Sequence, residues 1–153
     1  MSKRILSFLI GFVMFMTAAK IAAAQSDEVA IKKLIANFEK ELNAGNADGV
    51  KDLFMPDGVF MPHGSPAQVG GKAIHAFEDT YFGRELLDIN FNPVEVVVHN
   101  GWAFARVETT GTGKSKDSGT SSKIDNKSLL VLHRTNAGTW KIARAMWNRN
   151  SGN

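Results

Sequence analysis

In the first half of the chain, after residues 1–24, hydrophobic residues recur every three to four positions in three stretches. This is the spacing of one face of an α-helix. The pattern predicts a long helix from Ser26 to Gly45, because serine caps a helix start and glycine adopts the left-handed conformation of a helix end. It also predicts a short helix ending at Phe54 and a third helix from Lys72 to Gly83.

The second half of the chain alternates apolar and polar residues, which is typical of half-buried β-strands. Asn100-Gly101 is a strong hairpin signal between two such segments. Lys114 to Lys123 is rich in Ser, Gly, Lys and Thr and predicts a mobile hairpin loop. The predicted strands are Gly58–Met61, Leu87–Phe91, Val94–His99, Trp102–Thr112, Lys127–Arg134 and Thr139–Asn148. Helices followed by an antiparallel meander predict an α+β domain.

Residues 1–24 have the composition of a cleaved secretory signal peptide, with cleavage expected after Ala24. Lys3 and Arg4 form a basic start, and Ile5–Met16 is an apolar run of 12 residues. A retained membrane anchor is the alternative, but a spanning helix needs about 20 residues. Residues 25–153 then form a single domain, exported to the periplasm or secreted, with no membrane contact after cleavage.

Charge and cysteine content exclude several classes of function. The chain has 18 Lys+Arg and 15 Asp+Glu. Since Lys3, Arg4 and Lys20 leave with the signal peptide and no acid does, the mature chain has 15 of each sign. The basic residues form no stripe, so no nucleic-acid partner is predicted. The absence of cysteine excludes disulfides and thiolate chemistry.

Short motifs in a characteristic order resemble the nuclear-transport-factor-two-like superfamily, and most closely its SnoaL-like and ketosteroid-isomerase-like branches. The motifs are Leu42-Asn43-Ala44-Gly45-Asn46-Ala47-Asp48-Gly49, Asp57-Gly58-Val59-Phe60-Met61-Pro62, Gly70-Gly71-Lys72-Ala73-Ile74, Gly101-Trp102-Ala103 and Trp140-Lys141-Ile142-Ala143-Arg144. The resemblance implies a cone-shaped, cystatin-like roll, in which a curved and mostly antiparallel sheet wraps three helices around an apolar cavity. It also implies a homodimer.

The resemblance does not extend to the isomerase's catalytic residues. That enzyme uses a carboxylate base, a tyrosine and a protonated aspartate. The corresponding positions here are Phe38 for the tyrosine, Met61 for the base and, by a gapless alignment, Leu130 for the aspartate. None of these side chains accepts or donates a proton in such a reaction. Ketosteroid isomerisation is therefore not predicted.

His63 and Arg106 are the remaining candidates for catalysis. His63 follows the first strand at the expected cavity mouth, where a neutral imidazole could act as base or acid; the alternative is a solvated loop histidine. Arg106 shares a strand face with Trp102 and could bind an anion, or could simply pair with Glu108 or Glu95.

The candidate cavity residues, for which ordinary core packing is the alternative role, are Phe38, Phe54, Met61, Phe77, Tyr81, Trp102, Lys127, Trp147 and Asn148. Glu39 and Glu41 are expected on the solvent side of the first helix. The four scattered histidines predict no metal site, and no cofactor is predicted.

Three functions remain open on these residues. The favoured one is an exported domain that binds a small apolar or aromatic molecule. The second is an enzyme of the same fold, an isomerase, dehydratase, cyclase or hydrolase, that uses His63 or Arg106. The third is a protein-interaction domain whose cavity is filled by its own side chains.

Overall fold

A computed structural model describes residues 25–150 of the protein, so the predicted signal peptide lies outside the described residues. The helices are α1 (residues 25–43), α2 (Ala47–Leu53) and α3 (Gly71–Arg84). The strands are β1 (Phe54–Met61), β2 (Gln68–Val69), β3 (Glu85–His99), β4 (Trp102–Ser115), β5 (Ser121–Arg134) and β6 (Trp140–Arg149). Within this range, no helix combines the length and the hydrophobicity that a membrane crossing requires.

The six strands form one mixed sheet in the order β2-β1-β6-β5-β4-β3. Only β1 and β6 run parallel, and the other neighbouring strands are antiparallel. The helices and the sheet share one hydrophobic core, which contains Ile31 and Ile35 of α1 together with Leu132 and Ile142 of the sheet. This arrangement confirms the predicted α+β class.

The turns between the helices form as their sequence predicts. Gly45 has a positive φ of 62° and its N–H bonds to the carbonyl of Leu42, which ends α1. The Asn46 side chain accepts a hydrogen bond from the N–H of Gly49 at 3.1 Å and caps α2.

Three strand boundaries differ from the prediction. β1 begins at Phe54 rather than Gly58, because Phe54 already pairs with Ile142 of β6 before a bulge. The two strands predicted on either side of Asn92 are one strand, β3, with a register shift after Pro93. The predicted mobile loop from Lys114 to Lys123 is shorter than expected, because the β4–β5 pairing continues to Lys114 and Ser121 and only residues 116–120 connect the two strands.

β4 determines which side of the sheet faces the helices. Ala103, Ala105 and Val107 are buried, whereas Trp102, Phe104 and Arg106 alternate with them on the exposed outer face. The small side chains face the helices. Because they are small, they leave room for side chains of α1 and α3. Trp102, a candidate cavity residue, therefore points away from the cavity, together with Phe104 and Arg106.

Gly111 allows β3 and β4 to approach closely beside the cavity. Its φ is +147°, and a Cβ atom at this position would lie 2.2 Å from the carbonyl oxygen of Asp88. Only glycine fits such a contact without movement of the backbone.

Candidate functional site

A cavity of about 590 Å³ lies between α1, α3 and the inner face of the sheet. Its aromatic walls are Phe38, Phe60, Phe77, Tyr81, Phe91 and Trp147. Leucine and isoleucine side chains from α1, β3 and β5 add to the apolar surface: Leu42, Leu87, Ile89 and Ile124. The cavity thus has the apolar, concave character of a small-molecule site.

The aromatic rings support one another at their edges. The Phe38 ring centroid lies 5.6 Å from that of Phe91 and 5.9 Å from that of Phe54, both in edge-to-face geometry. Phe60 and Phe77 make the same kind of contact at 5.7 Å. Such pairs stabilise the wall beyond the area that they bury, so the cavity has a defined shape.

Rows of inward-facing residues cross the sheet and form the cavity floor. One row, set by the strand registers, runs from Phe91 on β3 through Thr109 and Asn126 to Arg149 on β6. All four residues border the cavity, and Thr109 is only 4 % exposed. Hydroxyl, amide and guanidinium groups therefore face the apolar helices across the cavity.

Glu78 on α3 is the buried charged residue of this site. It is 3 % exposed and borders the cavity. None of the fully enclosed side-chain nitrogen or oxygen atoms of residues 25–150 lacks a hydrogen-bond partner. Because Glu78 makes no hydrogen bond or ion pair within that range, its carboxyl oxygens reach the cavity. Burial raises the pKa of Glu78 from 4.5 to about 8, so the group is mainly protonated at neutral pH.

Tyr81 lies one helical turn beyond Glu78 and also borders the cavity. Burial raises the pKa of its phenol, and the nearby Glu85 and Glu78 carboxyls add to this effect, while Arg149 opposes it. The phenol therefore stays protonated at neutral pH and can donate a hydrogen bond to a molecule in the cavity.

The other charged residues that border the cavity are more exposed. Lys123 and Asp125 pair with each other at 3.4 Å. Hydrogen bonds from Asn150 and from Lys123 hold the pKa of Asp125 below its usual range. Glu85 and Arg149 complete this set.

Side chains of α1 fix the cavity wall on β3, the edge strand of the sheet. Asn43 Nδ2 donates to the carbonyl of Ile89 at 2.8 Å, and the N–H of Ile89 donates to Asn43 Oδ1 at 2.9 Å. Glu39 accepts a hydrogen bond from the N–H of Phe91 at 2.5 Å. The expectation that Glu39 faces solvent is thus wrong, because its carboxylate satisfies an open strand edge. Glu41 accepts a hydrogen bond from Asn46 Nδ2 in an exposed position.

Four of the candidate cavity residues border the cavity: Phe38, Phe77, Tyr81 and Trp147. Phe54 is buried behind the wall, against Phe38 and Phe60, and Met61 does not border the cavity. Three others lie on the outer face of the sheet, where their side chains are exposed: Trp102, Lys127 and Asn148.

Arg106 does not face the cavity. It lies on the outer face of β4, opposite Glu95 in the β3–β4 register, and its Nε is 2.6 Å from the Glu95 carboxylate. Both side chains are substantially exposed. The pairing with Glu95, which the sequence left as the alternative, is the one observed, and an anion-binding role inside the cavity is excluded by the orientation of β4.

His63 is exposed in the turn after β1 and does not border the cavity. Its Nδ1 lies 3.3 Å from Asn148 Oδ1, and its ring centroid is 5.8 Å from that of Trp147. Trp147 itself borders the cavity, so His63 sits behind the wall and not in it. Among residues 25–150, no three His, Cys, Asp or Glu side chains come together as a metal site.

Glu78 is a cavity residue that the sequence prediction missed. The signal was present, because Glu78 stands four positions after Ile74 and four before Phe82, both of which are buried on the same helix face. An acid in the middle of an apolar helical stripe is buried with it unless the side chain can reach solvent.

Together, the helices, the sheet and the internal cavity define an α+β domain built to enclose a small molecule. The SnoaL-like domain family matches residues 35–145, and the chain belongs to that family. No curated protein matches the chain significantly.

Solved structures confirm the fold. A ketosteroid isomerase-like protein from Erwinia carotovora atroseptica is 26 % identical with a TM-score of 0.77, over 81 % of this chain and 96 % of that one. An NTF2-like protein with a cystatin-like fold from Novosphingobium aromaticivorans is 24 % identical with a TM-score of 0.72, over 90 % of each chain. A hexachlorocyclohexane dehydrochlorinase is 11 % identical with a TM-score of 0.76, over 83 % of this chain and 87 % of that one.

Proposed function

We propose that this protein binds a small, largely apolar molecule in the cavity between α1, α3 and the sheet, and that it does so outside the cytoplasm. The observation that carries the proposal is a cavity walled by six aromatic side chains, with the Glu78 carboxyl on its surface. A volume of about 590 Å³ lies within the usual range of small-molecule sites. The apolar walls supply binding energy, and Glu78, Tyr81 and Thr109 orient the molecule.

Gly113 offers a way to fill the cavity without disturbing the sheet. It is buried on β4, and a Cβ atom there would meet Ile124, Glu85 and Ser122 at 3.4–3.7 Å, which is ordinary van der Waals contact. All three neighbours border the cavity, so a leucine side chain would occupy it. Gly83 is a matched control, because a Cβ on that exposed helix residue meets nothing within 4 Å.

The test is titration with a neutral fluorescent probe such as N-phenyl-1-naphthylamine. The native protein and Gly83→Leu should bind it equally, and Gly113→Leu should lose at least about tenfold in affinity because the leucine occupies the probe's space. Equal binding by Gly113→Leu would show that the probe binds elsewhere and would contradict the proposal.

An enzyme of this fold that uses Glu78 as its acid or base is the second candidate. The observation that favours it is the buried Glu78 carboxyl that borders the cavity, whose pKa burial raises to about 8, so that it can give or take a proton near neutral pH. The fold also occurs in a protein described as a dehydrochlorinase, whose reaction removes hydrogen chloride from its substrate. His63 and Arg106 do not border the cavity and are not proposed as its catalytic residues.

Proton transfer can be detected without knowledge of the natural substrate. Apolar carbonyl compounds incubated with the protein in heavy water should gain deuterium at carbon, as read by mass spectrometry. Glu78→Gln should abolish this exchange, and His63→Ala should retain it. Exchange that persists in Glu78→Gln would exclude Glu78 as the base.

The proposed location outside the cytoplasm is supported by the N-terminal sequence alone. A basic start, the apolar run Ile5–Met16 and the small residues Ala22-Ala23-Ala24 precede Gln25. Expression of the full chain in a two-membrane bacterium should yield a periplasmic protein whose first residue is Gln25. Recovery of the uncleaved chain from the cytoplasm would overturn this part of the proposal.

A homodimer is also proposed. The outer face of the sheet supports it, since large apolar side chains there are 36–49 % exposed: Val94, Val97, Trp102, Phe104, Leu129 and Met146. Sedimentation analysis of the native protein and of Phe104→Glu tests the proposal. A native protein that sediments as a monomer would contradict it.

A further inference from the structure

We propose that the preferred ligand of this cavity is a small organic amine, whose ammonium group pairs with the Glu78 carboxylate while its hydrocarbon part packs on the aromatic walls. The inference rests on the small-molecule function proposed above and narrows it to one chemical class. Three observations carry it: the lack of a partner for Glu78, the placement of the other charges and the aromatic composition of the walls.

Glu78 has no partner within the described protein. Glu78 is only 3 % exposed, and neither a hydrogen bond nor an ion pair joins it to another residue between 25 and 150. A buried carboxyl without a partner destabilises a fold and is retained where something else satisfies it. Because the carboxyl oxygens reach the cavity, a group on a bound molecule can replace water as their partner.

The charged and titratable groups around the cavity leave Glu78 without a cation. On α3 the neighbour is the Tyr81 phenol, and on β3 it is the acidic Glu85. On β5, Lys123 forms an ion pair with Asp125. On β6, Arg149 is exposed. It lowers the pKa of Tyr81, whereas burial alone raises the pKa of Glu78. Residues 25–150 thus supply no cation to Glu78, and a cationic ligand can supply one.

The walls suit an ammonium group as well as a hydrocarbon. Phe77 precedes Glu78 on α3 and Tyr81 follows it by three residues, and both rings border the cavity. The negative faces of aromatic rings attract cations, most strongly where water is excluded. A carboxylate that borders the same cavity as these rings is thus a complementary environment for a protonated amine.

A neutral ligand and an amine differ in what they do to the Glu78 proton. An alcohol or ketone hydrogen-bonds to the protonated carboxyl and leaves its proton in place. An ammonium group favours the carboxylate, so Glu78 must ionise when the amine binds. Since burial keeps Glu78 protonated up to a pKa of about 8, amine binding at pH 7 should release about one proton. The amine itself stays protonated, because its ordinary pKa is about 10.

The experiment is calorimetry with matched pairs, an arylalkyl amine and the alcohol of the same skeleton, in two buffers of different ionisation enthalpy at pH 7. The amine should bind at least about tenfold more tightly than the alcohol and release about one proton, and its affinity should rise toward pH 8. Glu78→Gln should remove both the preference and the proton release. Glu108→Gln, which neutralises an exposed acid on the outer face of β4, should retain them.

Equal binding of amine and alcohol without proton release would overturn the inference and leave the proposed small-molecule function standing. Failure of every amine and alcohol in such a series to bind would overturn both. The proton count is measured on the native protein, so the inference remains testable even if Glu78→Gln does not fold.

Discussion

The side-chain amide of Asn43 bonds to both backbone groups of Ile89, at 2.8 and 2.9 Å, across 46 residues of sequence. β3 is an edge strand, so these groups would otherwise be open to solvent or to another chain. The amide bonds to the strand edge as a neighbouring strand would, and it joins α1 to the strand that supplies Ile89 and Phe91 to the cavity. Hydrogen bonds therefore hold α1 against the cavity wall.

Asn43→Ala should destabilise the protein by about 1–2 kcal/mol, because two hydrogen bonds of a partly buried strand edge are lost together. Urea denaturation measures the change. Asn37→Ala is the matched control, since Asn37 is exposed on the same helix, and it should change the stability by less than about 0.5 kcal/mol. Equal effects of the two substitutions would show that the Asn43 contacts contribute little.

The buried Glu78 should make the protein less stable as the pH rises from about 4.5 to about 8. In that window the unfolded chain has lost the Glu78 proton and the folded chain still holds it, so folding takes up a proton and stability falls with pH. At about 1.4 kcal/mol for each pH unit, the total effect is on the order of 5 kcal/mol.

Glu78→Gln should remove this dependence and be more stable than the native protein at pH 8. The measurement is the difference in the free energy of unfolding between the two proteins at pH 5, 6.5 and 8, which cancels the titration of the histidines. A difference that stays constant with pH would contradict the raised pKa of Glu78.

Gly111→Ala should be strongly destabilising, on the order of 3 kcal/mol, because the new Cβ would lie 2.2 Å from the Asp88 carbonyl oxygen and φ would remain at +147°. Gly83→Ala, in an exposed helical position with no neighbour within 4 Å, should instead stabilise by up to about 1 kcal/mol. Thermal denaturation of the two variants distinguishes them. A native-like melting temperature for Gly111→Ala would show that β3 and β4 can separate at this point.

The helices and their cavity residues could be predicted from the sequence because each helix has a single apolar face. Phe38, Phe77 and Tyr81 follow from that face, and all three border the cavity. β4 is different, since both of its faces carry apolar residues. The sequence could not decide between them: Trp102, a candidate cavity residue, lies with Phe104 on the exposed outer face, whereas the small Ala103 and Ala105 are buried on the inner face.

The polar groups of the site could be predicted only in part. Glu78 was recognisable as an acid within an apolar stripe, between Ile74 and Phe82. The row from Phe91 through Thr109 and Asn126 to Arg149 could not be found in advance, because it depends on three strand registers at once. Registers are determined by bulges and turns, and a shift of one residue moves a side chain to the other face of the sheet.

Asp27, near the start of the described chain, connects α1 to the last hairpin. Its Oδ1 accepts hydrogen bonds from Trp140 Nε1 and from an Arg134 guanidinium nitrogen, both at 3.1 Å, and the Arg134 guanidinium lies 5.6 Å from the Trp140 ring centroid. Trp140 is buried, and Asp27 is the hydrogen-bond partner of its indole N–H.

Asp27→Ala should therefore cost about 1–3 kcal/mol in the free energy of unfolding, measured by urea denaturation of the chain from Gln25. Glu28→Ala is the control, because it removes only a surface pair with Lys32 and should cost less than about 0.5 kcal/mol. The loss in Asp27→Ala should persist in high salt, since the bond to the buried indole is not screened, whereas the small effect of Glu28→Ala should vanish. A loss that disappears in salt would mean that the Arg134 ion pair, and not the indole bond, is the stabilising contact.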